Sequence, residues 1–141
     1  MLTDTPFFKG SLEDLSSVRE AVDLPLLRKD FIVDEYQIYQ SRFYGADCIL
    51  LIASVLPDNQ LTEFKEIAEE LNLDTLVEVH DKSEMDRVRK LDFKLIGINN
   101  RDLKTFKVNL DTTINLSHNL KDRIIISESG IQSREDIEKI L

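Results

Sequence analysis

Short apolar runs alternate with amphipathic segments along the whole chain. The runs are rich in Val, Ile and Leu and are mostly apolar on both faces, which is typical of buried parallel strands. They predict strands at residues 24–28, 48–52, 75–79, 95–98 and 123–127. Capping residues and apolar spacing predict helices that begin near residues 11, 34, 57, 81, 113 and 133. This alternation predicts an α/β protein with a parallel sheet built from right-handed βαβ units.

Two closures of such a sheet compete, an open doubly wound sheet and a piece of a (β/α)8 TIM barrel. A whole barrel takes about 250 residues, and this chain has 141. Polar groups near the ends of several strands favour the barrel piece, because an open sheet concentrates its site at one switch point. We therefore expect a single partial TIM-barrel domain over residues 1–141, with about five parallel strands and flanking helices.

Four of the apolar runs carry a polar group near the same end. Lys29 follows the first run, Glu78 interrupts the third, Asn99 follows the fourth and Glu128 follows the fifth. The carboxyl ends of barrel strands are where these folds keep their chemistry. The pattern therefore predicts one active site assembled strand by strand.

Each of these groups also has a purely structural alternative. Lys29 would form a surface ion pair with Asp30, worth about 0–1 kcal/mol. Glu78 would belong to a buried ion pair, since an unpaired buried carboxylate costs several kcal/mol. Asn99 and Glu128 would serve turns.

Composition narrows the class of partner. Hydrophobic residues make up 42% of the chain, which indicates a globular protein. The net charge is −9, which argues against nucleic acid or an anionic membrane as partner. A small anion held by local cations stays compatible with this charge. Cys48 is the only cysteine and is interpreted as a small core residue in a reducing, cytoplasmic compartment. No apolar run approaches the ~18 residues of a membrane span.

The sequence carries no metal or nucleotide signature. His80 and His118 match no zinc or di-metal spacing, and there is no P-loop, no Gly-x-Gly-x-x-Gly and no Gly-x-Ser-x-Gly. We expect no metal and no cofactor. His80 borders the end of a predicted strand, but the sequence assigns it no role.

The chain resembles the indole-3-glycerol-phosphate synthases of tryptophan biosynthesis. Matching blocks lie at residues 7–11, 25–32, 45–52, 77–81, 97–103 and 127–131, in the order and spacing of that family. Two blocks are specific to this enzyme among barrels, Arg-Lys-Asp-Phe-Ile at 28–32 and Gly-Ile-Asn-Asn-Arg-Asp-Leu at 97–103. The resemblance implies a (β/α)8 carboxy-lyase that needs no cofactor. Its implied reaction converts 1-(2-carboxyphenylamino)-1-deoxyribulose 5-phosphate into indole-3-glycerol phosphate by ring closure, decarboxylation and dehydration.

The resemblance also implies a role for individual residues. Lys29 is the general acid at the substrate carbonyl, a role that typically contributes ~10²–10⁴-fold. Glu78 stabilises or orients the cationic intermediate, and Asn99 hydrogen-bonds the substrate. For substrate binding the resemblance implies an aromatic wall from Phe8 and Phe31 and an apolar contact from Leu50. It also implies a supporting cation, Arg101, and two groups from the seventh strand, Glu128 and Ser129.

The match corresponds to family strands three to seven. The first βα unit, with its Glu and Lys, and the eighth strand, with its phosphate-binding glycines, have no counterpart in this sequence. We therefore expect impaired activity, and self-association through exposed sheet edges. One alternative is a non-catalytic half-barrel that binds phosphate-type ligands or assembles with a complementing fragment. Another is phosphoribosylanthranilate isomerase, which relies on a Cys/Asp pair and lacks the block around Lys29, and therefore ranks lower.

Overall fold

The computed structural model describes residues 1–118, 120 and 122–141, apart from the side chain of Phe8. Within these residues the strands are β1 (Leu27–Arg28), β2 (Cys48–Ile52), β3 (Asp74–Val79), β4 (Leu95–Asn99) and β5 (Ile124–Glu128). The helices are α1 (Thr5–Phe8), α2 (Leu12–Ala21), α3 (Glu35–Phe43), α4 (Asp58–Glu70), α5 (Lys82–Lys90), α6 (Asp111–Leu116) and α7 (Arg134–Ile140).

The strands of the sheet follow one another in chain order, β1-β2-β3-β4-β5. The β1–β2 and β4–β5 pairs are parallel, with Leu27 opposite Cys48 and Leu95 opposite Ile124. A doubly wound sheet reverses its strand order at a switch point, and this sheet has no reversal. The architecture is that of a partial (β/α)8 barrel, as the sequence predicted.

The boundaries of the predicted elements hold within a few residues, with two differences near the N-terminus. The first strand is shorter than predicted, because the Leu26 amide donates to the Asp47 carboxylate at 2.7 Å instead of to a neighbouring strand. The short helix α1 was not predicted; the Asp4 side chain caps it by accepting from the Phe7 amide at 2.7 Å. Helix α4 begins one residue after the predicted position 57, with Pro57 as its N-cap residue.

The chain divides into two compact units, Met1–Leu76 and Val77–Leu141. In the first unit, fully buried side chains from helices and strands form the core, among them Leu15, Ile38, Ile49, Leu51 and Leu61. In the second unit the same role falls to Val79, Val88, Phe93, Ile96 and Ile98. The expectation of one domain over the whole chain stays a prediction.

The last strand and helix of the second unit, β5 and α7, have largely solvent-exposed side chains. β5 stands at the end of the strand order, and Ile124 and Ile126 on it are 66% and 39% exposed. No residue of α7 is buried. β5 is therefore the last strand in the order of this sheet, and it carries exposed apolar side chains.

Candidate active site

Lys29 follows β1 directly and is half-buried. Its backbone is held on both sides by the N-terminal segment: the Lys29 amide donates to the Met1 carbonyl at 2.7 Å, and the Thr3 amide donates to the Lys29 carbonyl at 3.3 Å. Leu2 pairs with Lys29 as an isolated parallel bridge. The backbone from which the lysine side chain projects is therefore fixed by strand-type pairing.

The neighbours of Lys29 form a buried polar network. Arg28 Nη2 lies 2.9 Å from Asp30 Oδ2, and their side chains are only 3% and 8% exposed. Asp30 also accepts from the Thr3 hydroxyl at 2.7 Å and from the Phe31 amide at 2.8 Å. Asp30 is thus buried and bound to Arg28.

Arg28 ties this network to the following helix. Its Nη1 donates to the Gln37 carbonyl at 2.7 Å and to the Ser41 hydroxyl at 3.1 Å, both on α3. Gln37 Nε2 in turn donates to the Phe31 carbonyl at 3.0 Å. The loop between β1 and α3 is therefore fixed at several points.

The apolar candidates of the first unit differ in environment. Phe31 is half-buried and meets Phe7 edge-to-face, with ring centroids 5.5 Å apart and an interplanar angle of 69°. Leu50 is 1% exposed in the middle of β2. The side chain of Phe8, the third candidate, lies outside the described part of the structure.

In the second unit the structure brings Glu78 and Asn99 together. Glu78 is 3% exposed near the end of β3, and Asn99 is 9% exposed as the last residue of β4. Asn99 Nδ2 donates to Glu78 Oε1 at 3.1 Å, while Asn99 Oδ1 accepts from the Arg101 amide at 3.0 Å. Both ends of the Asn99 amide are thus engaged, which fixes its orientation.

His80 joins this pair from the other side. Its Nε2 lies 3.0 Å from Glu78 Oε1 and its Nδ1 lies 3.2 Å from Glu84 Oε2. Burial lowers the pKa of His80, but hydrogen bonding and charge from Glu78 and Glu84 outweigh burial and raise the pKa to about 9. At neutral pH the ring is therefore an imidazolium between two carboxylates.

Arg101 is exposed and belongs to a pinned loop. It forms an antiparallel bridge with Val108, and its Nη1 donates to the Phe106 carbonyl at 3.3 Å. Asp102 accepts from the backbone amides of Thr105 and Lys104 at 2.6 and 2.8 Å, and these bonds hold the pKa of its carboxyl below the usual value. The loop that presents Arg101 is therefore shaped by its own hydrogen bonds.

Glu128 and Ser129 lie at the end of β5, where the chain turns sharply. The Glu128 carbonyl accepts from the Asn100 amide at 2.8 Å. Ser129 has φ +68° and Gly130 has φ +82°, and a Cβ on Gly130 would stand 2.2 Å from Val108 Cγ1. Glycine is required here both by its left-handed backbone and by the close approach of Val108.

Asn100, which the sequence analysis did not single out, holds this turn in place. Its Nδ2 donates to the Ser127 hydroxyl at 2.9 Å and to the Ser129 carbonyl at 3.1 Å. Its Oδ1 accepts from the amide and the hydroxyl of Thr113 at 3.1 and 2.9 Å. We call Asn100, Thr113, Ser127 and Ser129 the Asn100 cluster. The one sequence signal for it was the second Asn of the Asn99–Asn100 pair at the end of β4.

The structure thus places the candidates in two groups. In the second unit Glu78 and Asn99 are directly bonded, Arg101 joins through its backbone, and Glu128 and Ser129 are tied to β4 by Asn100. The first unit holds Lys29, Phe31 and Leu50. Among the described residues no group of three or more His, Cys, Asp or Glu side chains is arranged to hold a metal ion. None of the described helices combines the length and the apolar character that crossing a bilayer requires.

Comparison with solved structures shows the fold. The chain is similar to 3-keto-L-gulonate-6-phosphate decarboxylase from Vibrio cholerae O1 biovar El Tor, with a TM-score of 0.72 and 19% identity over 99% of this chain and 69% of that one. KGPDC from Streptococcus mutans gives a TM-score of 0.68 at 12% identity over 93% of this chain and 65% of that one. At such identities the likeness concerns the fold alone.

Comparison with curated proteins and family models shows the family. Proteins named indole-3-glycerol phosphate synthase match from Neisseria meningitidis serogroup C, 51% identical over 98% of this chain and 53% of the relative, and from Delftia acidovorans, 52% identical over 98% and 52%. That from Prochlorococcus marinus strain MIT 9301 is 54% identical over 99% and 50%. The chain therefore spans about half the length of these relatives. The family model described as indole-3-glycerol phosphate synthase matches residues 1–141, and the chain belongs to that family.

Proposed function

We propose that this chain carries the strand-three to strand-seven part of an indole-3-glycerol-phosphate synthase active site. The reaction is ring closure, decarboxylation and dehydration of 1-(2-carboxyphenylamino)-1-deoxyribulose 5-phosphate to indole-3-glycerol phosphate. The observation that carries the proposal is the buried Glu78–Asn99 pair at the carboxyl ends of β3 and β4, in a chain of this family. A bonded carboxylate and amide buried at strand ends suit a polar substrate better than they suit an apolar core.

In this proposal Lys29 is the general acid at the substrate carbonyl. Proton transfer needs a donor whose position is fixed before the substrate arrives. Support comes from the position of Lys29 directly after β1, with its backbone paired to residues 1–3 and its neighbours Arg28 and Asp30 buried in one network. The lysine side chain projects from a backbone that has little freedom to move.

Glu78 and Asn99 are proposed to serve the cationic intermediate that follows ring closure. A carboxylate stabilises a developing positive charge most strongly where water is excluded, and Glu78 is only 3% exposed. Asn99 orients that carboxylate through its Nδ2 and contributes a hydrogen bond to the substrate. In this proposal Glu78 acts through its negative charge, and Asn99 acts by orienting the Glu78 carboxylate.

The remaining candidates are proposed to shape the substrate slot. Phe8, Phe31 and Leu50 form apolar walls for the anthranilate ring, in keeping with the mostly apolar lining of small-molecule sites. Arg101 lies on the loop after β4, and Glu128 and Ser129 lie at the end of β5. This proposal implies a small phosphorylated substrate, a cytoplasmic location and no need for a cofactor, nucleic acid or membrane.

The decisive assay measures indole-3-glycerol phosphate by its fluorescence. Because the chain spans about half of its relatives, it is assayed alone and also joined to the flanking segments of the Neisseria meningitidis relative. We expect turnover in the joined protein and a loss of ~10²-fold or more in Lys29→Ala. Lys94→Ala is the matched control, since Lys94 is 73% exposed and pairs with Asp92. A joined protein whose turnover survives Lys29→Ala contradicts the assignment.

A second function, a non-catalytic half-barrel that assembles with another chain, is favoured by one observation. The edge strand β5 exposes Ile124 and Ile126. If this edge mediates self-association, Ile124→Lys shifts sedimentation towards the monomer, because charged edge residues oppose strand pairing. Leu24→Lys is the matched control, as Leu24 is 67% exposed outside any strand. A chain that is already monomeric at high concentration argues against this function.

A further inference from the structure

His80 has no role among the residues assigned so far, yet its ring is closely held between two acidic side chains. The side chain is 11% exposed, and each ring nitrogen lies near a carboxylate oxygen: Nε2 is 3.0 Å from Glu78 and Nδ1 is 3.2 Å from Glu84. Nδ1 is hydrogen-bonded to Glu84, whereas Nε2 is in ionic contact with Glu78 without the alignment of a hydrogen bond. These carboxylate side chains are themselves only 4% and 13% exposed. We call His80, Glu78 and Glu84 the carboxylate–imidazole ladder.

The ladder has a definite protonation state on geometric grounds. A neutral imidazole has one N–H donor and one lone pair, so one of its nitrogens would direct a lone pair at a carboxylate. The imidazolium has two donors and suits both neighbours. Nδ1 is hydrogen-bonded to one carboxylate and Nε2 lies in ionic contact with another, so the charged form of the ring is the one that fits.

Glu84 determines where the ring sits. Its Oε2 accepts from the His80 backbone amide at 2.8 Å as well as facing Nδ1, so one carboxylate oxygen holds both the backbone and the side chain of His80. Glu84 lies in the first turn of α5, and its amide donates to the Asp81 carboxylate that caps this helix at 2.9 Å. The start of α5 thus fixes His80, and His80 reaches Glu78.

On the other side, Glu78 has a second neighbour. Asn99 Nδ2 donates to the same Oε1 that His80 approaches. Among the contacts of residues 1–118, 120 and 122–141, the charged groups near His80 are Glu78 from β3 and Glu84 from α5, while β4 contributes the neutral Asn99. With the imidazolium between them, the ladder carries one net negative charge where two carboxylates alone would carry two.

We propose that His80 is a positioning residue for Glu78: clamped by Glu84, it holds the Glu78 carboxylate ionised and in the orientation that it shares with Asn99. The inference rests on the proposed function only in that Glu78 is the carboxylate serving the cationic intermediate. The ladder suits this task in two ways. Glu78 keeps its charge when a cation develops beside it, and the reduced net charge weakens repulsion of an anionic substrate.

The test begins with the 141-residue chain and does not depend on turnover. Only two histidines are present, so His118→Gln leaves His80 as the single imidazole signal in a ¹⁵N-histidine NMR titration. We expect the ring to stay doubly protonated through pH 7 and to lose its proton near pH 9. Glu84→Gln is expected to lower that midpoint by about 1–3 pH units. Asp86→Asn is the control, since Asp86 is an exposed carboxylate on the same helix.

Two results overturn the ladder at this stage. One is a midpoint for His80 close to 6.5, about the value of an unperturbed imidazole. The other is an equal shift in Glu84→Gln and Asp86→Asn, which would mean that the charge of α5 as a whole, and not the contact with Glu84, governs the ring.

The positioning role has its own readout at Asn99. In His80→Gln we expect the side-chain amide signals of Asn99 to shift and to lose protection from exchange, because Glu78 is no longer held beside Nδ2. His118→Gln should leave them unchanged, since His118 is exposed and belongs to no site. Unchanged Asn99 signals in His80→Gln, with the fold intact by circular dichroism, would refute the positioning role.

Kinetics in the joined protein separate this inference from the proposed function. His80→Gln should lower kcat by about tenfold or more with KM changed less than about twofold, and move the acidic limb of the kcat profile to higher pH. A wild-type joined protein without turnover refutes the proposed function while leaving the NMR results to decide the ladder. Normal kcat and pH profile in His80→Gln would refute the positioning role alone.

Discussion

Replacing Asn100 by Ala should be among the most destabilising single changes in the second unit. Asn100 is 2% exposed and makes four side-chain hydrogen bonds, two as donor to Ser127 and Ser129 and two as acceptor from Thr113. Alanine removes all four and leaves a small cavity between β4, β5 and α6. The Asn100 cluster holds the turn that carries Ser129, so the loss extends to the end of β5.

The size of the destabilisation depends on which former hydrogen-bond partners of Asn100 can bond to water in the variant. Thr113 is 2% exposed, so its amide would be left buried and unsatisfied, at about 1–3 kcal/mol. Ser127 and Ser129 are half-buried and recover part of their loss, at about 0.5–1.5 kcal/mol for each bond. The total is about 2–6 kcal/mol, a large part of the ~5–15 kcal/mol that stabilises a typical domain.

The assay must report on the second unit. The chain has no Trp and its tyrosines, Tyr36, Tyr39 and Tyr44, all lie in the first unit, so tyrosine fluorescence would miss the effect. Native-state hydrogen exchange of the β4 and β5 amides, with urea unfolding followed by circular dichroism, measures it directly. Asn115→Ala, at an exposed position of α6, is the control and should change stability by less than about 0.5 kcal/mol. A loss below about 1 kcal/mol for Asn100→Ala would refute the reasoning.

Three further predictions concern single groups. Gly130→Ala should destabilise the chain by about 1–3 kcal/mol in urea unfolding, because φ is +82° and the new Cβ would clash with Val108; a neutral effect would contradict this. Burial raises the pKa of Cys48 to about 11, so a disulfide reagent at pH 8 should react far more slowly with the folded chain than with the urea-unfolded chain. The folded pKa of His80, about 9, exceeds the unfolded value of about 6.5. The stability contributed by its contact with Glu84 is therefore full below about pH 6.5 and is lost as the pH rises through about 9, so the destabilisation by Glu84→Gln should shrink over that interval.

Much of the fold was accessible from the sequence because strands and helices are local patterns. β2 was predicted at its observed bounds, and the carboxyl ends of β3, β4 and β5 within a residue. The helix cap Asp34 was also accessible, since a capping side chain bonds to backbone only two or three residues away. The polar groups Lys29, Glu78, Asn99 and Glu128 lie at or beside strand ends for the same reason.

The hydrogen-bond partners of these groups could not be predicted from the sequence. Glu78 and Asn99 are separated by 21 residues and Asn100 and Thr113 by 13, and nothing in the local pattern selects these pairs. His80 illustrates the limit most clearly. A histidine beside a strand end has no assigned role until the folded chain shows a carboxylate at each ring nitrogen.

The sequence by itself determined the βα alternation and the residues at the strand ends, because these depend on short-range periodicity. The family came from the resemblance of six sequence blocks to indole-3-glycerol-phosphate synthases. Tertiary structure decided which polar side chains share a hydrogen bond and how the protonation of His80 is set. Burial and pKa depend on the neighbours that the fold brings, and a one-dimensional pattern does not contain those neighbours.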